Sequence, residues 1–331
     1  MKKTVSFSKK ASNIFFHILT DCNLKCAHCY INKKEHGQGK LPVETIKLWL
    51  SVFAKRNPKK KNLIFLGGEP TLHPDLSEAV KEAKRLNYES ITVDTNGYLF
   101  FDILSKVTPE QVDYFSFSID GSNTKLNDKI RGKGSYEKVI EGIKKAKAKG
   151  FKTSMIYTVS SYNIEDIKNM PDILKDIMPD KFFIQIIGIR GKPAASANNF
   201  QVNNSQWFCA IPNTAKKIAE LGISVIYPKV YLKKEEPFEC AGLLADNYFI
   251  FPNGRVYKCP LCEDFAINGL YFNKNNKLVK NGKINEDDLF NLSIPEGCVI
   301  NKIVQSDNIE YNKDGKPLYK IACCMLKEEI S

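Results

Sequence analysis

Three cysteines in one short stretch have residue types and a spacing that suit metal chemistry. The stretch reads Cys22-Asn23-Leu24-Lys25-Cys26-Ala27-His28-Cys29 and is called the cysteine loop below. Thiolate sulfur selects soft metals such as zinc, copper(I) and the iron of iron–sulfur clusters. Zinc sites and ordinary clusters usually take four ligands, so three thiols leave one iron of a cubane cluster without a protein ligand. We interpret this loop as the seat of an iron–sulfur cluster with one open iron, where a small molecule can bind and react.

Two further stretches place polar groups or glycines directly after predicted strands. Gly67-Gly68-Glu69-Pro70 follows an apolar run, and glycine lets the backbone approach a ligand closely while a carboxylate can bind an ammonium group. Ser118-Ile119-Asp120-Gly121 ends another predicted strand, and Asp128-Lys129-Ile130-Arg131-Gly132 follows it. These segments are therefore candidates for the same site as the cysteine loop.

The elements that must position these residues alternate between strand and helix patterns. Strands are predicted at residues 13–19, 62–66, 90–94, 113–119, 152–159 and 181–187, and helices begin near residues 42, 75, 100, 135, 163 and 207. Such alternation is typical of a parallel sheet, and about six units suit an α/β fold built as an open barrel of βα repeats. In barrels of this type function gathers where strands end, so we expect the candidate segments to share one edge.

The cysteine loop resembles the cluster loop of the radical S-adenosylmethionine (radical SAM) superfamily, whose pattern is Cys-x3-Cys-x-aromatic-Cys. His28 stands at the aromatic position. The resemblance implies a partial (β/α)6 TIM-like barrel and a [4Fe–4S] cluster held by Cys22, Cys26 and Cys29. It also implies that S-adenosylmethionine (SAM) binds the open iron and is cleaved to a 5′-deoxyadenosyl radical that abstracts hydrogen.

The same resemblance assigns cofactor contacts to residues outside the loop. Gly67 to Pro70 resembles the GGEP motif, whose backbone and glutamate hold the amino group of SAM, and a Ser and an Arg of the peptide-modifying branch contact its ribose or carboxylate. The residues assigned to SAM binding in this way are His28, Gly67, Gly68, Glu69, Ser118, Arg131 and Ile187. Ile187 would face adenine, or is simply a core residue at a strand end. For Thr95, Asn96 and Asn163, lining this pocket and capping local turns remain alternatives. No catalytic residue is assigned, because radical abstraction need not use a general base.

After about residue 228 the helical patterns fade and cysteines return, so we predict a barrel domain at 13–228 and a cysteine-rich domain at 229–331. A β-hairpin is predicted at residues 247–258.

The spacing of Cys240, Gly254 and Cys259 resembles the opening of SPASM and twitch extensions, which bind auxiliary [4Fe–4S] clusters. The later cysteine run of a full SPASM domain is missing, which favours one auxiliary cluster. The residues assigned to it are Cys240, Cys259, Cys298 and one of Cys323 or Cys324, with Cys262 as a competitor. Zinc, with Cys259 and Cys262 as half a site, is the rival metal.

These features predict a radical SAM enzyme, and within that class we favour modification of a peptide or protein, as by a maturase. Oxidation or coupling of a small molecule is the alternative, and a non-enzymatic iron–sulfur or zinc protein is a further one. The presence of Gly67 to Pro70 beside the cysteine loop argues against the last, since such a protein needs no SAM pocket. The partners implied are a peptide or small-molecule substrate and an electron donor such as flavodoxin or ferredoxin.

Length and composition agree with this interpretation. The 331 residues, 43% of them hydrophobic, suffice for one large domain and a small one. Neither a signal peptide nor a segment of membrane-spanning length is recognised, so we expect a cytoplasmic protein whose thiols bind metal, with no membrane partner.

Cys209, on a predicted helix, is expected to be a buried, inert thiol. The net charge is +12, but the lysines are scattered rather than interleaved with aromatic residues. This argues for solvated helix faces and against a nucleic-acid partner.

Overall fold

Strands and helices alternate along the chain as the sequence predicts. The structure is a computed structural model that describes residues 1–7, 9–56, 60–195 and 199–331. Its strands are β1 (Lys2–Val5), β2 (Ala11–Leu19), β3 (Lys60–Gly67), β4 (Ser90–Thr95), β5 (Tyr114–Ser118), β6 (Thr153–Val159), β7 (Lys181–Ile186), β8 (Ser224–Pro228), β9 (Tyr231–Leu232), β10 (Asp246–Ile250), β11 (Arg255–Tyr257), β12 (Leu270–Phe272), β13 (Leu278–Lys280), β14 (Lys320–Ile321) and β15 (Lys327–Ile330).

Most of the longer helices connect consecutive strands of this series. The helices are α1 (Lys33–His36), α2 (Val43–Arg56), α3 (Leu76–Arg85), α4 (Ile103–Lys106), α5 (Thr124–Arg131), α6 (Ser135–Ala148), α7 (Met170–Ile177), α8 (Lys192–Ala195), α9 (Asn204–Ala219), α10 (Ala241–Leu244), α11 (Glu286–Phe290) and α12 (Val299–Val304). In the part of the chain that the structure describes, no helix is long and apolar enough to cross a membrane.

The strands β2 to β8 pair in chain order and in parallel, which confirms the predicted α/β fold class. The sheet is open, because β2 and β8 do not pair with each other and each takes a C-terminal strand as its outer neighbour. β10 pairs in parallel with β2, and β15 pairs antiparallel with β8. The described strands thus form one sheet of thirteen strands and a second of two.

The two faces of the central strands differ in burial. Phe65, Val93 and Phe117 lie on the face that the helices cover, and all three are fully buried. Their strand neighbours point to the opposite face because side chains alternate along a strand, and Asp94 and Ser118 there are only half-buried. We call this second face the inner face; it is partly accessible at Asp94 and Ser118, whereas Ser116, the register partner of Asp94, is buried.

The C-terminal part of the chain is continuous with this sheet. β10 and β11 form the predicted hairpin, with Phe249 opposite Tyr257, and β12 and β13 extend the sheet beyond it. The predicted domain boundary near residue 228 coincides with the end of β8. Whether the two segments behave as separate domains stays a prediction.

Among the local differences from the sequence prediction are α5 and the helix that follows β6. α5 was not predicted, because only Asn127 and Ile130 of its residues are buried and its apolar pattern is therefore weak. The helix expected from residue 163 begins as a 3-10 helix at Ile167 and continues as α7 from Met170. Asn163 accepts a hydrogen bond from the backbone N–H of Ser160 at 2.7 Å, and such side-chain bonds favour a turn over a helix.

Candidate functional site

The cysteine loop follows β2 directly and rests against the end of α5. The backbone N–H of Ala27 donates a hydrogen bond to the carbonyl of Ile130 at 2.8 Å. The Sγ atom of Cys26 lies 3.7 Å from the carbonyl oxygen of Arg131. The loop is therefore held by a helix that lies far from it in the chain.

The three thiols of the loop are accessible and influence one another. Cys22 is exposed, and Cys26 and Cys29 are half-buried. Loss of hydration is the largest cause that raises the pKa of Cys22, to about 12, and the charges of Glu69, Cys26 and Cys29 also raise it. A metal that binds Cys22 must therefore displace the proton of this thiol.

Gly67 and Gly68 lie against the backbone that leads into the cysteine loop. The N–H of Gly68 donates to the carbonyl of Leu19 at 3.0 Å, and that of Glu69 donates to the carbonyl of Asp21 at 3.0 Å. A Cβ atom on Gly67 would lie 2.2 Å from the Leu19 oxygen, and one on Gly68 would lie 2.1 Å from the Asp21 oxygen. Both glycines are therefore required by the close approach of the protein's own backbone.

Glu69 is held rigidly at the end of β3, with 1% of its surface exposed. Its Oε1 atom accepts hydrogen bonds from the N–H and the hydroxyl of Thr71, at 3.1 and 2.6 Å, and from the hydroxyl of Thr95 at 2.9 Å. Its Oε2 atom accepts one from the N–H of Asn96 at 2.7 Å. Burial raises the pKa of Glu69 although these bonds lower it in part.

Asn96 joins the end of β4 to the cysteine loop. Its Nδ2 atom donates to Oδ1 of Asn23 at 2.8 Å and lies 3.8 Å from the Sγ atom of Cys22. The structure thus brings Asn96 and Thr95 into contact with Glu69 and, through Asn96, with the loop. Neither residue serves only to cap its own turn.

Asp120 connects the cysteine loop to α5. Its Oδ2 atom accepts a hydrogen bond from Nε of Arg131 at 2.5 Å and lies 3.2 Å from Nε2 of His28. Its Oδ1 atom accepts the N–H of Thr158 at 2.7 Å. Burial lowers the pKa of His28, and its Nδ1 atom is buried without a hydrogen-bond partner. For Arg131, burial lowers the pKa, but Asp120 and Cys26 more than offset this effect, so the pKa is raised overall.

The other residues assigned to SAM binding lie in different surroundings. Ser118 ends β5 on the inner face and is half-buried. Ile187 follows β7, is 4% exposed, and donates its N–H to Val159 at 2.9 Å. Its side chain therefore belongs to the core. The Nδ2 atom of Asn163 donates to the carbonyls of Asp120 and Thr158, each at 3.0 Å, and so joins the turn after β6 to the segment that follows β5.

A second group of thiols lines one cavity in the C-terminal part of the chain. The cavity is bounded by Cys240, Cys259, Cys298, Cys323 and Cys324. The rest of its lining is largely apolar and includes Phe238, Leu261, Leu289, Phe290, Ile300 and Met325. Burial raises the pKa of Cys240 to about 11, so this thiol also needs a metal to lose its proton at neutral pH.

Two remaining cysteines stand apart from this cavity. Cys262 is fully buried beside Cys259 but does not line the cavity. Cys209 is exposed on α9, so the prediction of a buried thiol was wrong. Within the described residues, no group of three or more His, Cys, Asp or Glu side chains is arranged to hold a single metal ion.

The inner face carries groups that the sequence did not single out. Asp94 lies on β4, two residues before Asn96, and burial raises its pKa to about 7. Tyr30 follows Cys29, and its hydroxyl lies 2.8 Å from Nε2 of His17. The alternation of buried and half-buried residues in β4 could have placed Asp94 on this face, but no local pattern announces the pairing of Tyr30 with His17.

Comparison with known proteins gives a family match and several relatives. Residues 17–174 match the family model of the radical SAM superfamily. The chain is 30% identical over 176 residues to the Fe-coproporphyrin III synthase of Methanosarcina barkeri, a match that covers 52% of this chain and 43% of that protein. It is 29% identical over 182 residues to the pre-heme d1 synthase of Dinoroseobacter shibae, covering 54% and 44%. The chain thus spans less than half of the length of these curated relatives.

Two solved structures share the fold over most of the chain. Streptococcus suis SuiB bound to the precursor peptide SuiA has a TM-score of 0.67 at 15% identity, covering 91% of this chain and 71% of that one. The structure of anSMEcpe with bound AdoMet has a TM-score of 0.60 at 14% identity, covering 92% and 85%. At these identities the likeness concerns the fold alone.

Proposed function

We propose that this chain, whose residues 17–174 match the family model of the radical SAM superfamily, is an enzyme that uses SAM to abstract hydrogen from a peptide or protein. One observation carries the proposal. The cysteine loop, the Gly67–Glu69 turn, Asn96 and the Asp120–Arg131 pair meet at one edge of the parallel sheet, through the hydrogen bonds described above. An edge formed by the carboxyl ends of parallel strands is where such folds bind ligands.

The residues at this edge fit a [4Fe–4S] cluster and SAM. Cys22, Cys26 and Cys29 supply three soft donors on one loop, and each can bind a different iron of one cluster. A bound cluster and SAM supply an electron for cleavage of the sulfonium and an organic radical that takes a hydrogen atom. The protein's own task is to hold the thiolates, orient SAM and exclude water.

Glu69 retains capacity for the amino group of SAM. A carboxylate offers about four acceptor positions, and three of the four bonds to Glu69 fall on Oε1. Oε2 has one protein donor, Asn96, and can accept an ammonium hydrogen as well. The bonds on Oε1 fix the carboxylate in advance, which reduces the cost of ordering it when the ligand arrives.

The assignment of the remaining SAM contacts is part of the proposal. Ser118 is half-buried on the inner face, where it can reach a ligand. Arg131 is already paired with Asp120 through Nε, and the other nitrogens of its guanidinium group are the ones proposed to bind the SAM carboxylate. Gly67 and Gly68 contribute backbone, while Ile187 contributes backbone and a core side chain.

We assign the auxiliary cluster to Cys240, Cys259, Cys298 and Cys323. All four line the C-terminal cavity, as Cys324 also does, so the choice of Cys323 over Cys324 is part of the proposal. The position of Cys262 outside the cavity lining argues against its use. The chemistry of four thiolates around a largely apolar cavity suits a [4Fe–4S] cluster.

A peptide substrate is favoured by two observations. The inner face carries small, half-buried hydroxyl side chains such as Ser118 and Thr158, and side chains of this size suit an extended ligand. The fold also resembles that of SuiB, which was solved with a precursor peptide. A small molecule is the second candidate, because two curated relatives are named Fe-coproporphyrin III synthase and probable GTP 3′,8-cyclase. The electron donor, flavodoxin or ferredoxin, and the cytoplasmic location stay predictions.

The first experiment tests for SAM chemistry. We expect the anaerobically reconstituted protein, with dithionite as reductant, to convert SAM into 5′-deoxyadenosine and methionine. Replacement of Cys22, Cys26 and Cys29 by alanine should abolish the conversion, while Cys209→Ala, a change at an exposed thiol, should leave it intact. A protein that retains its iron and does not cleave SAM would contradict the enzyme proposal.

The second experiment separates the two substrate classes. The reconstituted protein is supplied either with a peptide digest of fully deuterated bacterial protein or with free deuterated amino acids. Deuterium should enter 5′-deoxyadenosine from the peptides at least several times faster than from the amino acids. Equal transfer from both, or transfer from the amino acids alone, would favour a small-molecule substrate.

A further inference from the structure

The segment Gly188 to Lys192, which follows β7 and is called the linking segment below, lies between the two groups of thiols. On one side it contacts the cysteine loop. The N–H of Lys192 donates to the carbonyl of Cys29 at 3.0 Å, and its Nζ atom donates to the carbonyl of Cys26 at 2.9 Å. A Cβ atom on Gly191 would lie 2.6 Å from the Cα atom of Tyr30, so the two backbones touch.

On its other side the linking segment contacts the turn that begins at Cys259. The Nη1 atom of Arg190 donates to the carbonyl of Pro260 at 2.7 Å and forms an ion pair with Glu263. The N–H of Gly191 donates to Oδ2 of Asp264 at 2.6 Å. These contacts fix the turn that supplies Cys259 to the C-terminal cavity.

Arg190 contacts both sides at once. Its guanidinium group lies 4.6 Å from the centre of the Tyr30 ring, and Tyr30 is bonded directly to Cys29 in the chain. The same group is paired with Glu263, and the two side chains are 19% and 1% exposed. A buried pair of this kind is expensive to break, because removal of one partner leaves the other charge without compensation.

We infer that Arg190 is a positioning residue that couples the two metal sites, so that metal in the C-terminal cavity stabilises the cysteine loop in its SAM-binding arrangement. Metal bound to Cys259 orders the turn from Cys259 to Asp264. Arg190 and Gly191 transmit that order to Tyr30 and Cys29 through the contacts above. The inference rests on the proposed function for the identity of the ligand, SAM, but the coupling itself is a property of the chain.

The chain offers a matched control for this coupling. Arg255 forms an ion pair with Glu35 at 2.6 Å, and it also joins the C-terminal part of the chain to the region after the cysteine loop. Its exposure, 27%, is similar to that of Arg190. Arg255 does not contact Tyr30 or the turn at Cys259 among the bonds of the described residues, so its loss should weaken the structure without uncoupling the sites.

The test is a double-mutant cycle on the dissociation constant of SAM, measured by anaerobic equilibrium dialysis on iron-loaded protein. Cys240→Ala with Cys298→Ala removes the C-terminal metal and should weaken SAM binding about tenfold. In the Arg190→Gln background, which should itself bind SAM about tenfold more weakly, the same removal should change the constant less than about twofold. In the Arg255→Gln background the full effect should remain.

Two outcomes would overturn the inference. In the first, the cysteine replacements and Arg190→Gln act independently, so that the combined protein binds SAM about a hundredfold more weakly than wild type. In the second, the Arg190→Gln protein binds SAM as tightly as wild type. Arg190→Lys, which keeps the charge but loses the flat face over Tyr30, serves if the glutamine variant does not fold, and it should give a partial loss of coupling. The EPR spectrum of the reduced cluster on the cysteine loop should change in Arg190→Gln and not in Arg255→Gln.

A further readout keeps this test separate from that of the proposed function. The rate at which a chelator removes iron from the cysteine loop needs no SAM, and the same non-additive pattern is expected there. If iron-loaded wild-type protein failed to bind SAM, the proposed function would fall. The coupling would still be measured by iron release, and additive rates would overturn it.

Discussion

The carboxylate of Asp120 lies 3.2 Å from the imidazole of His28, although the two residues are far apart in the chain. The same oxygen accepts the 2.5 Å hydrogen bond from Arg131. One buried atom therefore ties the cysteine loop, the end of β5 and the end of α5 together. His28, which stands at the aromatic position of the loop, therefore helps to hold the loop in place through Asp120 and is also a candidate contact to the cofactor.

Asp120→Asn should weaken this junction without changing its size. Loss of the charge leaves the Arg131 guanidinium buried without its partner, which we expect to cost about 3 kcal/mol of unfolding free energy. Iron retained by the cysteine loop and affinity for SAM should both fall, by about tenfold or more for SAM. Urea denaturation and SAM binding measure the two effects. Asp314→Asn, at an exposed position, is the control, and an Asp120→Asn protein equal to it would refute the role.

Gly68→Ala should prevent the cysteine loop from closing onto β3. The added Cβ atom would lie 2.1 Å from the carbonyl oxygen of Asp21, so the backbone must move, at a cost of at least about 2 kcal/mol. Iron content after reconstitution and the melting temperature should both fall. Gly282→Ala is the matched control, since a Cβ atom at that position would have no neighbour within 4 Å. Normal iron content in Gly68→Ala would show that the loop tolerates the shift.

Asp94 predicts a dependence of stability on pH. Burial raises its pKa from 3.8 to about 7, so the native state binds more protons than the unfolded state between these values, and stability falls as pH rises through that window. Asp94→Asn removes the titration. The free energy of unfolding of Asp94→Asn, taken relative to that of wild type at the same pH, should therefore increase by about 2 kcal/mol or more as the pH rises from ~4 to ~8.

Chemical denaturation at several pH values measures the Asp94 effect. A difference between wild type and Asp94→Asn that stays constant across the acidic and neutral range would mean that the pKa of Asp94 is the same in the native and unfolded states, which would contradict this prediction.

The C-terminal cysteines are expected to differ in whether the auxiliary cluster requires them. Cys323→Ala should lose the auxiliary cluster, because a lost thiolate ligand leaves one iron without a protein donor. Cys262→Ala and Cys324→Ala should retain it. Iron, sulfide and zinc analysis of protein in which the cysteine loop is also replaced by alanines measures this site alone. Retention of iron in Cys323→Ala with loss in Cys324→Ala would exchange the two assignments, and zinc in place of iron would favour the rival metal.

The fold could be predicted from the sequence because its signals are local and repeated. The predicted strand at 62–66 and the turn that follows it appear as β3 and Gly67–Glu69. Because parallel strands end at the same edge, the meeting of this turn with the cysteine loop followed from the pattern alone. The hairpin of β10 and β11 was also predicted, from the turn residues between them.

The contacts that shape the site could not be predicted in this way. The pairing of His28 with Asp120 and the stacking of Arg190 on Tyr30 join residues distant in sequence. Neither the local secondary-structure propensity nor the spacing of residues in the sequence specifies which carboxylate contacts which basic side chain. The need for Gly68 was predicted, but as a contact to ligand, whereas the structure shows a contact to the backbone at Asp21.

β2, which leads into the cysteine loop, pairs with β3 on one side and with β10 on the other. The side chains of Asn13 and Asn247 bond at 2.9 Å across 234 positions of sequence. Such distant pairings form late, because closing a long loop costs entropy before any contact compensates it. Until β10 pairs with β2, the strand that leads into the cysteine loop lacks the hydrogen bonds on one of its two edges. We therefore expect maturation to have an order, with chain closure first and iron delivery second, so that refolding in the presence of iron yields less active-site metal than loading after refolding.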